Sequence, residues 1–310
     1  MSSLVISPHQ FPDLVREQAL ADEFGLDLVV AGDQDELLRA LPDASVVMVT
    51  PYGRITDAEV AALRSCRGIV RYGVGYDNID VRAASMAGIP VAIVPDASTE
   101  DVATHAFALG MTLARLIPQG QSAIQAGTWA AAVPFTAKRL NELEVGVVGM
   151  GRIGRRVAEL WTAVGAKIAA YDPAIDLPPD IARGLSEILT ESDIVTLHVP
   201  LLDATRNLIS SETLATMRPS AVVVNVSRGG LVDEDALAAA LNSSQIAGAG
   251  IDVFLEEPLR SDHPLRSAPN AVLTPHIAWK SSSSLGAIQA GAVERARAAL
   301  SGQKMQDLVS

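Results

Sequence analysis

The chain has 310 residues, 49% hydrophobic and 19% charged, which is enough for two domains of ordinary size with buried cores. A net charge of −12 argues against the broad phosphate-neutralising surface that nucleic acid requires, yet permits a small anion in a locally cationic pocket. A lone cysteine, Cys66, excludes an intrachain disulfide and a Cys/His metal framework and suits a reducing cytoplasm.

The N-terminus lacks the basic start and apolar block of a signal peptide. From there, short β-rich apolar runs alternate with Ala/Leu-rich segments of helical period, the pattern of an α/β protein. Strands are predicted near 28–31, 46–50, 69–72 and 91–94, with helices between them, for example over 57–65 and 81–87. Ser98-Thr-Glu-Asp101 reads as a capping-box start of a long helix, whose apolar run continues to Leu116 before Pro118 stops it. The longest uncharged stretch, 116–137, is broken by Pro118, Gly120, Gln121 and Ser122, so no membrane span is expected.

A second alternating series places strands at 145–148, 167–171, 194–198, 221–225, 248–252 and 271–274, the count of a complete dinucleotide-binding sheet. The Ala-rich stretch 285–300 is helical in period and comes too late for that sheet, so it is expected to return to the first domain. The predicted architecture is a Rossmann dinucleotide-binding domain (98–283) inserted into a smaller flavodoxin-like α/β domain (1–97 and 284–310).

Directly after an apolar strand stands Gly149-Met-Gly151-Arg-Ile-Gly154, followed by Ile153, Val157, Trp161 and Val164 on one helix face. In this spacing Gly149 permits the tight turn, Gly151 lets the backbone approach a pyrophosphate, and Gly154 lets helix and strand pack closely. The motif alone is weak, but the next strand ends in Asp172, placed to accept both ribose hydroxyls of an adenosine and to repel a 2′-phosphate. NAD, rather than NADP, is therefore the expected cofactor.

Three later segments each set a polar residue at a strand's C-terminal end, where open α/β sheets bind ligands. They are Asn225-Val-Ser-Arg228-Gly-Gly230, Gly250-Ile-Asp252-Val-Phe-Leu-Glu-Glu257-Pro258 and Leu273-Thr-Pro-His276-Ile-Ala-Trp279. Together with Gly73-Val-Gly-Tyr-Asp-Asn-Ile-Asp80, Val94-Pro-Asp-Ala-Ser-Thr-Glu100 and the glycine loop, they resemble the D-2-hydroxyacid dehydrogenase family over nearly the whole chain. The 70–80 and 276–279 segments look most like the branch that includes the C-terminal-binding proteins and related bacterial dehydrogenases.

The resemblance implies an NAD-dependent oxidoreductase acting on a small 2-oxo or D-2-hydroxy acid, with residue roles that the chemistry supports. His276 would be the acid/base, since imidazole titrates nearest neutral pH. Glu257 would bond its far ring nitrogen, fixing the tautomer and favouring the imidazolium; Glu256 is the neighbouring competitor, and the family pattern favours the residue before proline. Arg228 would grip the substrate carboxylate and polarise the carbonyl with its planar fork. Backbone N–H groups of Val74 and Gly75 would hold the carboxylate from the other domain, placing substrate in an interdomain cleft. Tyr52 and Trp279 would face the substrate, although Trp279 also reads as a packing aromatic. Arg54, in the Tyr52 loop, suits a phosphorylated or dicarboxylic substrate or is simply solvated.

Around the cofactor, the family pattern puts Arg152 and Ile153 on the pyrophosphate and Val199, Pro200 and Thr205 by the adenosine half. Val226, Ser227 and Asp252 would lie near the nicotinamide, with Asp252 receiving the carboxamide. Of the remaining histidines, His9 and His263 read as solvated loop residues, His105 as structural on the long helix, and His198 as serving the loop over the cofactor.

A homodimer through the cofactor domains is expected from the family alone, with 119–138, including Trp129 and Phe135, as the exchanged arm. Leu140-Asn-Glu-Leu-Glu144 lacks the usual glycine before the strand, and the serine run 281–284 departs from relatives where substrate preference is set. The sequence ends at the final helix, so no appended regulatory domain is expected. Two other functions of this fold stay open: an NAD(H)-sensing co-regulator, and a formate dehydrogenase, against which Glu257 counts because that subfamily typically carries Gln there.

Overall fold

The structure, a computed structural model, describes residues 2–134 and 136–309. In the first hundred residues, β1 (Ser3–Ile6), β2 (Asp27–Val30), β3 (Ala44–Val49), β4 (Ile69–Arg71) and β5 (Val91–Ala92) alternate with four helices. These are α1 (Val15–Phe24), α2 (Gln34–Ala40), α3 (Asp57–Ala62) and α4 (Val81–Met86). The strands run parallel in the order β2-β1-β3-β4-β5, the flavodoxin-like arrangement. Every residue of β1 and β3 is buried, which explains their nearly unbroken apolar sequences: a parallel strand covered on both faces has no polar side to alternate with. The strand reading from sequence starts at residue 28 and misses β1, a four-residue run too short to display a period.

The next segment holds α5 (Thr99–Ala114) and α6 (Ile117–Gln125), where the sequence predicts one helix stopped by Pro118. Leu116 turns the chain with φ 54°, and a new helix starts with Pro118 in its first turn. Proline is tolerated there because first-turn N–H groups have no intrahelical acceptor to lose.

The second sheet comprises β6 (Glu144–Val148), β7 (Lys167–Tyr171), β8 (Ile194–Leu197), β9 (Val222–Asn225), β10 (Gly248–Ile251) and β11 (Ala271–Leu273). Between them lie α7 (Arg152–Ala163), α8 (Leu185–Glu191), α9 (Ser211–Leu214) and α10 (Glu234–Asn242). All six strands are parallel, in the order β11-β10-β9-β8-β6-β7, and a single parallel bridge, Ala170 to Ala182, extends the sheet beyond β7. The order reverses between β6 and β8, the switch point at which such sheets bind ligands. Side chains alternate between two cores: Val145, Val147, Val222 and Val224 pack with α5 and α7, whereas Val148, Val195, Leu197 and Val223 pack with α8 and α10. Trp161, 1% exposed, fills the first of these cores and meets Phe107 edge-on, with ring centroids 4.7 Å apart.

The chain then returns through α11 (Ser282–Leu300) and β12 (Leu308–Val309), which pairs antiparallel with β5. Residues up to Ser98 and from Lys280 onward form one compact unit, and Thr99–Trp279 the other. The serine run that departs from the family pattern has a local purpose: the Ser281 hydroxyl accepts from Ser284 N at 3.0 Å and the Ser284 hydroxyl accepts from Ser281 N at 2.9 Å. This capping box starts α11. Among the described residues, no helix is long and apolar enough to cross a membrane.

Candidate active site

The glycine loop connects β6 to α7. Gly149 has φ 97°, and a Cβ there would lie 2.5 Å from the His198 carbonyl oxygen, so the turn admits only glycine. A Cβ at Gly154 would lie 1.9 Å from the Gly149 carbonyl oxygen, which measures how closely helix and strand approach. Gly151, the N-cap of α7, has nothing within 4 Å of that position. The result is an open cradle at the start of α7, whose first two residues are Arg152 and Ile153, and a helix N-terminus in this setting fits a pyrophosphate.

Asp172 follows β7, and its carboxylate is held beside the loop: Oδ2 accepts from Met150 N at 2.8 Å and Oδ1 from Ala174 N at 2.9 Å. Each oxygen keeps acceptor capacity for a ribose hydroxyl. Beside the same loop, the His198 ring meets the Thr196 hydroxyl through Nε2 at 2.8 Å. Burial pushes its pKa down to about 3, so this imidazole is neutral.

The carboxyl ends of β8 and β9 carry the remaining expected cofactor residues. Val199 is nearly buried and Pro200 exposed. The Thr205 hydroxyl closes their loop by donating to Pro200 O at 2.7 Å while accepting from Leu202 N at 2.8 Å. Val226 is buried, and the Ser227 hydroxyl donates to Leu197 O at 2.8 Å. Asn225, fully buried and given no role of its own in the sequence reading, shapes the turn. Its amide donates to Arg228 O at 2.8 Å and its side-chain oxygen accepts from Ser227 N at 3.1 Å. An Asn closing a strand ahead of Ser-Arg-Gly-Gly is the residue type that bonds its own downstream backbone, and that signal was available in the sequence.

Glu257 and His276 meet: Nδ1 of the ring lies 2.7 Å from Glu257 Oε2, while Oε1 accepts from Phe254 N at 3.0 Å. Glu256 points elsewhere, with its carboxylate 72% exposed and 3.9 Å from Arg260. Burial pushes the Glu257 carboxyl upward, but the bond to His276, the imidazole charge, the Phe254 amide and the Arg228 charge outweigh it. They hold the group below the usual carboxylate range, so it is ionised and its partner Nδ1 carries the proton. Nε2 is left for proton transfer.

His276 itself has φ 53°, a conformation uncommon for a residue with a Cβ. Its N–H is tied to Asp252 O at 2.8 Å and Thr274 O at 3.1 Å. Asp252, expected beside a carboxamide, is fully buried and turned into this same turn. Its Oδ1 accepts from the Thr274 hydroxyl at 2.6 Å and from Ile277 N at 3.0 Å, and its Oδ2 from Ala278 N at 2.9 Å. His105 reaches the Thr274 hydroxyl at 3.0 Å, in keeping with a structural place on α5. The Trp279 indole donates to His276 O at 3.0 Å, and its ring packs against the core that contains Phe107.

His263 is not a solvated loop residue. Its ring is 10% exposed and lies 2.9 Å from Glu234, which is also 10% exposed. His9 accepts from Phe11 N at 3.0 Å and stacks on that ring.

Within the first unit, Val74 and Tyr52 are 41% and 51% exposed, and Gly75 is half-buried beside Val74. Asn78 connects their loops, its amide donating to Thr50 O at 2.9 Å and Gly53 O at 2.6 Å.

A glycine loop at the switch point of a parallel sheet, with an acidic residue ending the neighbouring strand, defines a dinucleotide-binding α/β protein; the Arg228, Glu257 and His276 turns narrow that class. The chain belongs to the D-isomer specific 2-hydroxyacid dehydrogenase family, whose NAD binding domain matches residues 107–278. It is 38% identical over 257 residues to a D-3-phosphoglycerate dehydrogenase of Synechocystis sp., covering 81% of this chain and 46% of that protein. It is also 38% identical over 250 residues to a hydroxypyruvate reductase of Thermotoga maritima, covering 79% of this chain and 81% of that one. Among solved structures, D-lactate dehydrogenase from Aquifex aeolicus, complexed with NAD and lactic acid, matches with a TM-score of 0.87 at 28% identity, covering 97% of this chain and 96% of that one. The chain spans about half the length of the D-3-phosphoglycerate dehydrogenases that it matches.

Proposed function

We propose that this protein is an NAD-dependent dehydrogenase that interconverts a small 2-oxo acid and its D-2-hydroxy acid. The observation that carries the reading is the 2.7 Å contact between His276 Nδ1 and Glu257, on the same sheet edge as Arg228 and the glycine loop. Gly149, Gly151, Arg152, Ile153 and Gly154 would hold the pyrophosphate, and Asp172 the adenosine ribose. Val199, Pro200 and Thr205 would flank the adenosine half, with Val226 and Ser227 by the nicotinamide. Asp252 would act there by ordering the 276–278 turn.

Bound NADH supplies the hydride for the carbonyl carbon. Arg228 binds the substrate carboxylate and draws electron density toward the carbonyl oxygen, a task that suits a planar, permanently charged fork. His276 delivers the proton to that oxygen from Nε2 and, in oxidation, takes it back. Glu257 holds the ring in the tautomer that this transfer needs and stabilises its protonated form. Val74 and Gly75 supply backbone donors to the carboxylate, and Tyr52 and Trp279 bound the substrate.

Likeness to a D-3-phosphoglycerate dehydrogenase, a hydroxypyruvate reductase and a glyoxylate reductase supports acids of the hydroxypyruvate and phosphohydroxypyruvate kind, with glyoxylate as the smallest candidate. The 70–80 and 276–279 segments support a place in the branch of the C-terminal-binding proteins and related bacterial dehydrogenases. A homodimer is proposed to cover the exposed apolar side chains of the 119–138 arm and of Ile117 just before it; Ile117, Ile124 and Trp129 are 55%, 58% and 76% exposed. Phe135, also expected in that arm, lies outside the described residues.

The test is NADH oxidation at 340 nm against glyoxylate, hydroxypyruvate, pyruvate, oxaloacetate, branched and aromatic 2-oxo acids and phosphohydroxypyruvate. Selective turnover is the expected result. Binding of NADH with no turnover of any of them would move the protein to the sensor class.

A further inference from the structure

The catalytic glutamate depends on a short segment that has to be held from behind. Phe254 N donates to Glu257 Oε1 at 3.0 Å, and the next amide, Leu255 N, donates to Glu234 Oε1 at 2.6 Å. The Phe254–Leu255 peptide thus lies between two amides held by carboxylates, Phe254 N by the one on His276 and Leu255 N by the one on the first turn of α10. The Arg228 turn presses on the same peptide: a Cβ on Gly229 would lie 1.9 Å from the Phe254 carbonyl carbon and 2.2 Å from Leu255 N. A shift of this segment reaches both the Phe254 amide that holds Glu257 and the glycine next to Arg228.

Glu234 is itself fixed. Its other oxygen, Oε2, lies 2.9 Å from His263 Nε2, and both side chains are 10% exposed. His263 Nδ1 accepts from Leu265 N at 3.3 Å, so Nε2 is the nitrogen that carries the proton and donates to Glu234. We propose that Glu234 and His263 form a positioning pair for the reaction, clamping the Leu255 amide so that Glu257 keeps its contact with His276. This rests on the dehydrogenase reading, in which neither residue touches substrate or cofactor.

The two ring nitrogens of His263 do different things, which gives a sharp test. His263→Asn places an acceptor where Nδ1 stands, keeping the cap on Leu265 N, but is too short to reach Glu234. His263→Gln reaches Glu234 but loses the cap. Positioning predicts that His263→Asn lowers kcat roughly tenfold or more, with NADH affinity within about twofold, because small misplacements of catalytic groups cost that much. His263→Gln is expected to retain most of kcat while unfolding earlier. A merely structural role predicts the reverse order, and that outcome overturns the proposal.

A second measurement needs no turnover. With 15N-labelled histidine, the downfield Nδ1–H signal of His276, identified by its loss in His276→Ala, is expected to be present in wild type and His263→Gln. It is expected to be weakened or lost in His263→Asn and Glu234→Ala. An unchanged signal in those two variants, checked as folded by NADH fluorescence, also overturns the clamp. If the wild type reduces no 2-oxo acid while the signal responds as stated, the clamp stands and the dehydrogenase reading fails.

Discussion

His276 sits with φ 53° at the end of β11, a backbone conformation that persists only where the surroundings over-determine it. Here the surroundings are two backbone acceptors, the buried Asp252 carboxylate and, on the ring, Glu257. His276→Ala is expected to lower kcat about 10²–10⁴-fold, the usual worth of a positioned acid/base, and to leave NADH binding intact. Unchanged turnover in that variant removes the assignment. Arg228→Lys exchanges a fork for a point charge, and the loss of one charged hydrogen bond corresponds to roughly a 10–100-fold fall in kcat/KM. Kinetics like those of the wild type would make Arg228 peripheral.

His198 contributes differently, through stability. Its pKa is depressed from 6.5 to about 3, so the folded chain binds fewer protons at this site than the unfolded chain between those values. Stability from this group is therefore complete above pH 6.5 and falls as the pH drops toward 3, by up to about 1.4 kcal/mol per pH unit. His198→Gln, which keeps a partner for Thr196 and cannot titrate, is expected to show a shallower loss in urea titrations between pH 6.5 and 4. Identical slopes for the two proteins would contradict the buried neutral state.

At the scale of elements, the β6–α7 junction is a tight constraint in the second unit. It brings a helix N-terminus to the sheet edge and leaves Gly151 open toward solvent. Gly154→Ala inserts a methyl 1.9 Å from the Gly149 carbonyl, so strand and helix have to separate. The expected cost is about 1–3 kcal/mol of stability together with a large loss of NADH affinity, read by urea unfolding and by nucleotide fluorescence. Full NADH binding in that variant would show that the loop is not the cofactor cradle. The β9, β10 and β11 ends cooperate in a second way: the fully buried Asn225 and Asp252 and the more exposed Glu257 each bond backbone of their own or an adjoining turn, so polar side chains order these turns.

For the molecule as a whole, two units with separate cores have been strung on one chain, and only Thr99–Trp279 carries the glycine loop. Ligand that binds only the folded form stabilises it in proportion to the logarithm of its concentration. NADH at about 100 times its Kd is expected to add about 2.7 kcal/mol to the unfolding free energy, seen as a higher Tm. NADPH at equal concentration should add less, because the Asp172 carboxylate opposes a 2′-phosphate, and Asp172→Ala should close the gap. Equal shifts by both nucleotides in the wild type would refute the NAD preference.

Local spacing was enough to locate β6, the glycine loop and Asp172, because a strand, a tight turn and a helix start are written in consecutive residues. The α/β class followed for the same reason: two-residue and 3.6-residue periods leave their mark on neighbouring side chains. Arg228, Glu257 and His276 were legible as polar residues at strand ends and through the family pattern. The choice between Glu257 and Glu256 was not settled by geometry until the chain was folded, since adjacent side chains diverge and only one faces His276. Tertiary structure alone decided the rest. It enclosed Asp252, joined His263 to Glu234 across 29 residues of sequence, and buried β1 between β2 and β3. Those features are contacts between segments distant in the chain, and no short-range period encodes a partner that arrives only when the sheet closes around it.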